Sequence, residues 1–225
     1  MSEPARHDMH LLPVVHDRES AFAYTCHGCG RCCYHKGIRV GPYTVARLAE
    51  TLATTTTEVW DRYVDAETST LRQRPDGACV FFDGGCSVHP GRPLACRVYP
   101  LGWTQKTDGS EAFLQVSPHP ESAGVYGQGG TVADYIASQE TAPYEAATQR
   151  YAGVLVRLRA ALAFDGPEVG EMPPITDVDA AVRADCDARG VPVPDDVEAR
   201  VDLHLALLHR WLDAAGAPAS GDVAA

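Results

Sequence analysis

The sequence predicts a helix-rich α+β fold in which an irregular, cysteine-rich core with short strands is capped by helices. Three observations predict it. The segments 22–40 and 76–103 mix cysteines with glycines and prolines too densely for a long helix or strand. Between and after them, apolar residues recur at helical spacing. Only brief runs, Val80-Phe81-Phe82 and Ala112 to Val116, have strand composition, so helix is expected to exceed strand substantially.

Taken in order, residues 1–20 are polar, are broken by Pro4 and Pro13, and read as a flexible arm. Gly28, Gly30 and Gly37 relax the backbone of the first cysteine segment into a loop that wraps around something. Gly41-Pro42 opens a helix of about a dozen residues, since proline at a helix start forfeits no hydrogen bond. Val45, Leu48, Ala49 and Leu52 mark its apolar face. Thr56 or Thr57 can cap a second short helix ending near Tyr63, and the pair is expected to pack around the first loop. Asp83-Gly84-Gly85 reads as a turn after the strand at 80–82. A helix is expected from Thr131 to Gln139, and a longer one from Pro143 to Phe164 with Tyr151, Val154, Leu155, Leu158 and Leu162 on one face. Further helices are expected near 178–188 and 195–214. The expected organisation is an arm at 1–20, a cysteine domain at 21–140, a helical extension packed on it at 141–218, and a frayed tail at 219–225.

With 225 residues the chain can bury roughly 70% of its unfolded surface, so it does not depend on disulfides for a core. No N-terminal stretch resembles the apolar part of a signal peptide, and none approaches the ~20 apolar residues that span a bilayer. A reducing cytoplasmic setting is therefore expected, where thiols serve metals or catalysis more often than disulfides. A net charge of −11 argues against nucleic-acid binding and against docking on an anionic membrane.

The cysteines carry the chemistry. Cys26, Cys29, Cys32 and Cys33 form C-x2-C-x2-C-C, and Cys79, Cys86 and Cys96 follow, leaving only Cys186 outside. A C-x2-C step lets two sulfurs converge on one centre while the intervening amides turn toward them, which suits zinc and iron–sulfur clusters alike. The C-x2-C-x2-C run is ferredoxin-like, and seven thiols exceed the four that one zinc or one cluster takes. The surplus implies two centres or thiols poised for exchange. In an extended backbone Cys32 and Cys33 would point to opposite sides, one to each centre. His27, His35, His89 and His119 are candidate mixed ligands. Cys186, in an acidic helical stretch, reads as an ordinary semi-buried residue.

At these residues the chain resembles the YkgJ-like cysteine-cluster family, described as zinc- or iron-chelating domains. The resemblance rests on Phe22-x3-Cys26-x2-Cys29-Gly30-x-Cys32-Cys33, on Cys79-x-Phe81-Phe82-x3-Cys86, and on Arg92-Pro93-x2-Cys96-Arg97-x-Tyr99-Pro100, and covers about residues 20–140. It implies a metal site made by Cys26, Cys29, Cys32, Cys33, Cys79, Cys86 and Cys96. Flagellin lysine methylases look like distant members, which keeps an enzymatic role open. Members often carry a further cysteine in a Cys-Pro-Gly-like stretch where this chain has Ser117-Pro118-His119-Pro120, which makes His119 a substitute metal ligand.

Arg92, Arg97 and Tyr99 are the expected cofactor-binding residues around that site. Guanidinium groups can neutralise a thiolate cluster and hydrogen-bond to sulfur. The expectation is a metal-binding core that holds iron, as a cluster or as non-haem iron, for a redox or catalytic task. The alternatives are a structural zinc module for protein interaction and a protein that stores or transfers metal ions. No Gly-rich phosphate loop, Ser-His-Asp order or paired carboxylates name a reaction.

Overall fold

The structure is a computed structural model that describes residues 11–105, 109–162 and 171–218. Strands β1 (Leu11–His16) and β2 (Tyr24–Thr25) lead into a 3-10 turn at Arg31–Cys33, then helices α1 (Pro42–Leu52) and α2 (Thr56–Tyr63). Two-residue strands β3 (Val64–Asp65) and β4 (Thr70–Leu71) are followed by a 3-10 turn at His89–Gly91 and the short helix α3 (Leu94–Val98). Strands β5 (Leu101–Gln105), β6 (Glu111–Val116) and β7 (Val125–Tyr126) come next. Helices α4 (Val132–Ser138), α5 (Ala142–Leu162), α6 (Val178–Arg189) and α7 (Val197–Ala214) complete the chain. The expected helix-rich α+β class holds.

The chain forms two compact units that interleave in sequence. One joins Met1–Val40 to Tyr63–Ala142, the other Gly41–Arg62 to Pro143–Ala225. In the first, β1, β6 and β5 pair antiparallel in that order, with Trp103 opposite Phe113. Residues 11–16 were expected in a loose arm, yet Leu11, Val15 and His16 pair with Val116, Leu114 and Phe113. The register slips between Leu11 and Val15, where Pro13 has no amide hydrogen to offer the ladder. Below the sheet Phe113, fully buried, packs with Phe22, Tyr24, Val98, Leu101, Val132, Tyr135 and Ile136. The α4 helix is pinned by a capping box in which the Thr131 hydroxyl accepts from the Asp134 amide and the Asp134 carboxylate accepts from the Thr131 amide.

In the second unit α1 and α2 pack with C-terminal helices. Pro42 stands in the first turn of α1, as expected, and buries Tyr43, Val45, Ala46, Leu48 and Ala49 behind it. The α2 cap is Thr55, whose hydroxyl accepts from the Glu58 amide, rather than Thr56 or Thr57. Those two hydroxyls donate instead to the Asp177 carboxylate at the start of α6. On α5 the buried face is Tyr144, Ala147, Tyr151, Val154 and Arg157, whereas Leu155 is exposed. The helical period drawn through Tyr151 and Val154 continues to Arg157, whose guanidinium is buried by bonding to Asp213, Ala217 and Pro218. His204 of α7 is fully buried; since the Pro174 carbonyl can only accept, Nε2 carries the proton and Nδ1 accepts from the Tyr151 hydroxyl, each at 2.8 Å. Cys186 is buried in α6 rather than half-exposed. The tail from residue 219 lies outside the described residues.

Candidate metal centre

The two cysteine segments are stitched together by their backbones. The Cys79 amide donates to the Cys33 carbonyl at 2.7 Å, the His35 amide donates to the Gly77 carbonyl at 2.8 Å, and Tyr34 bridges Ala78. The strand expected at Val80-Phe81-Phe82 is replaced by turns. Phe82 bridges Cys86 across Asp83-Gly84-Gly85, and the tight return leaves no length for a ladder. Cys96 is brought in by α3, whose first turn is set by Pro93. The result is one cavity of about 620 Å³, within the first unit, whose wall includes Cys26, Cys29, Cys32, Cys33, Cys79, Cys86 and Cys96.

Glycine is required at position 30. Its φ is +73°, and a Cβ there would stand 2.1 Å from the Phe82 ring. Gly30→Ala is expected to cost about 2–4 kcal/mol, through left-handed backbone strain plus displacement of Phe82. Urea denaturation measures it, and a variant within about 0.5 kcal/mol of the parent would show that the loop is not held against Phe82.

The thiols differ in state. Cys32 and Cys33 do not point apart, because Arg31–Cys33 is a helical turn rather than extended chain. The Cys33 thiol donates to the Cys32 sulfur, which pulls Cys32 below the ordinary thiol range and pushes Cys33 far above it. Lys36 also favours the Cys32 thiolate. Cys29 is lowered by the Ala123 and Arg31 backbone amides, the first at 3.4 Å from its sulfur. Cys79 and Cys86 are raised by burial first and by neighbouring sulfurs second. Cys96 is solvent-accessible and lines the cavity, and the protein mass around it pushes its thiol up to about 12, with neighbouring sulfurs adding to the shift. Cys26, Cys29 and Cys96 are the exposed members of the set.

Arg92, Arg97 and Tyr99 also belong to the cavity wall. Arg92 donates to the His89 carbonyl at 2.9 Å and the Gln139 side chain at 2.9 Å, and its charge faces Cys96, Cys86 and Cys26. Arg97, 3% exposed, is a brace: Nε donates to the Arg92 carbonyl, Nη1 to the Gln139 carbonyl and Nη2 to the Pro90 carbonyl. Tyr99 accepts from the His119 amide on its hydroxyl, and its carbonyl accepts from the Tyr135 hydroxyl.

Of the four histidines singled out from sequence, His27 and His89 line the cavity, while His35 and His119 are not among its wall residues. His119 sits where Ser117-Pro118-His119-Pro120 turns away, with Nδ1 accepting from the Glu121 amide. Lys36 escaped the sequence reading. Its Nζ lies 3.7 Å over the Tyr99 ring, half-enclosed among the thiols. Its place three residues after Cys33, in Cys-Cys-Tyr-His-Lys, was the available signal.

Among the described residues no group of three or more Cys, His, Asp or Glu side chains is arranged to hold a metal ion. The donor chemistry nonetheless fits a soft or borderline metal. Seven sulfurs face one space, and Glu140 is the only carboxylate on its described wall, a set unsuited to calcium or magnesium. Residues 25–117 match the family model CxxCxxCC, described as a "putative zinc- or iron-chelating domain". No curated protein and no solved structure matches the chain. The matched segment contains all seven cavity cysteines together with Lys36, Arg92, Arg97 and Tyr99, and binding of zinc or iron is what the match supports.

Proposed function

We propose that the CxxCxxCC domain holds iron on its cavity cysteines, as an iron–sulfur cluster or as non-haem iron, for a redox or catalytic task. The observation that carries this reading is that seven thiols from separate segments line one cavity. Four thiolates satisfy a structural zinc, and such sites are closed. A space of about 620 Å³ is in the range of small-molecule sites, so a centre there would leave room for a reacting partner. When bound, iron would supply electron transfer or Lewis acidity. The chain's own share is the thiolate donors, the Arg92 and Lys36 charges, and the wall of Tyr24, Phe81, Val88 and Tyr135. A reducing cytoplasm would keep these thiols available, and among the described residues no helix is long and apolar enough to cross a membrane.

The deciding experiment is anaerobic purification with iron supplied, followed by quantification of iron, zinc and acid-labile sulfide per chain. Near-stoichiometric iron is expected, accompanied by sulfide if the centre is a cluster. Zinc alone would overturn the iron assignment and leave a structural or metal-transfer role.

Metal uptake should also be coupled to protons. Cys33, Cys79, Cys86 and Cys96 are raised, so at neutral pH the metal-free protein carries them as thiols and a bound metal must displace their protons. Apparent affinity is expected to rise about tenfold per pH unit for each proton displaced, and to weaken on acidification. The rise should persist from neutral into alkaline solution, because Cys96 stays protonated until about 12. Competitive chelator titrations across that window measure the slope, and a flat profile would show that raised thiols are not the ligands.

A further inference from the structure

Lys36 is a cavity cation outside the cysteine and arginine motifs read from the sequence. Its ammonium is half-enclosed, and the sulfurs whose ionised forms favour its charge are those of Cys32, Cys96 and Cys33. Burial by itself disfavours that charge, so the ammonium needs a reason to stay. Two are present. The face of the Tyr99 ring lies 3.7 Å beneath Nζ and offers its negative quadrupole. The ring is itself held, since the Tyr24 ring meets it edge-on at 6.4 Å between centroids and 88° between planes. The second reason is the Cys32 thiolate, joined by the other two sulfurs once a metal displaces their protons.

Four thiolates around a divalent ion, or around a doubly positive cluster, form a net dianion. In a partly enclosed cavity such a dianion is costly unless cations stand close. Three cations line this wall: Arg97, which braces three carbonyls, Arg92, which is tied to His89 and Gln139, and Lys36. Arg92 acts on Cys96, Cys86 and Cys26, and Lys36 on Cys32, Cys96 and Cys33, so the two charges cover different parts of the sulfur set.

We propose that Lys36, clamped on the face of Tyr99, is the counter-cation of the thiolate centre and sets how tightly the cavity holds its metal. This rests on the metal-binding reading above and adds to it a positioning pair, with Tyr99 holding the charge and Lys36 supplying it. The choice of lysine follows from the geometry. A compact ammonium on a flexible stem can lie flat on a ring while presenting its charge to several sulfurs.

The test is titration of the full-length, reduced, metal-free chain with Co²⁺ alone under anaerobic conditions, read by the sulfur-to-cobalt charge-transfer band. Lys36→Met is expected to weaken Co²⁺ binding about tenfold, in the range found when groups just outside a ligand shell are removed. Lys36→Arg, which restores the charge, should stay within about threefold of the parent. Tyr99→Leu should weaken binding in the same direction as Lys36→Met, whereas Tyr99→Phe, which keeps the ring face, should not. If Lys36→Met does not fold, the Tyr99 pair carries the test, because there the charge remains and only its platform changes. Parental affinity in Lys36→Met would overturn the proposal, as would equal weakening by Lys36→Arg or by Tyr99→Phe. Absence of any charge-transfer band in the parent chain would instead overturn the metal reading itself, and the clamp with it.

Discussion

Replacing Cys96 with serine is expected to lower metal affinity at least about 100-fold while leaving the fold intact. Cys96 lines the cavity wall, and the sulfurs of Cys32, Cys79 and Cys86 all act on its thiol. Serine is nearly the same size, so the loss would report the missing thiolate rather than a cavity. Losing a group that merely supports a ligand costs about 10–100-fold, so losing a central ligand should cost at least the upper figure. Elemental analysis and Co²⁺ titration read the effect, with circular dichroism as the check on folding. Cys186→Ser is the control: that residue is buried in α6, outside the matched domain, and its replacement should leave metal content unchanged. Retained metal in Cys96→Ser would remove this residue from the ligand set.

Arg97→Met is expected to destabilise the first unit by about 3–5 kcal/mol, a severe loss for a domain of this size. The guanidinium is 3% exposed and joins three places along the chain: the turn at Pro90, the residue before Pro93 at Arg92, and the end of α4 at Gln139. Methionine fills much of the volume but leaves three part-buried carbonyls without their donor, each costing up to about 1–3 kcal/mol before relaxation. Lysine keeps the charge but not the planar fork, so Arg97→Lys should recover only part of the loss. Urea midpoints measure the series. A variant that kept its stability and lost only metal affinity would recast Arg97 as a group acting directly on the centre.

These two residues show how unevenly the site was legible. C-x2-C-x2-C-C followed by three spaced cysteines is visible without any structure, because thiol spacing is a property of the chain and few other roles need it. The helices were legible for a similar reason. Pro42, Thr131 and the apolar period from Tyr151 act within a few residues of themselves, and Val132–Ser138 and Val197–Ala214 appear close to where the pattern puts them. The role of Arg97 was not legible. Adjacency to Cys96 suggests a bond to sulfur, but on a helical turn a neighbour points elsewhere, and its partners lie up to 42 residues away.

What the sequence by itself determined is the helix-rich α+β class, the CxxCxxCC segment and the spacing of its cysteines, all of which follow from local pattern and composition. Only the tertiary structure decided that Leu11–His16 joins a sheet through β6, and that the helices at 42–63 group largely with those after 143. It also decided that Cys32 bonds to Cys33, that His119 lies off the cavity wall, and that Lys36 rests on Tyr99. The physical reason is common to all of these. Each depends on which distant segment supplies the partner, and the backbone bonds that pair Cys33 with Cys79 or β1 with β6 leave no periodic trace along the chain.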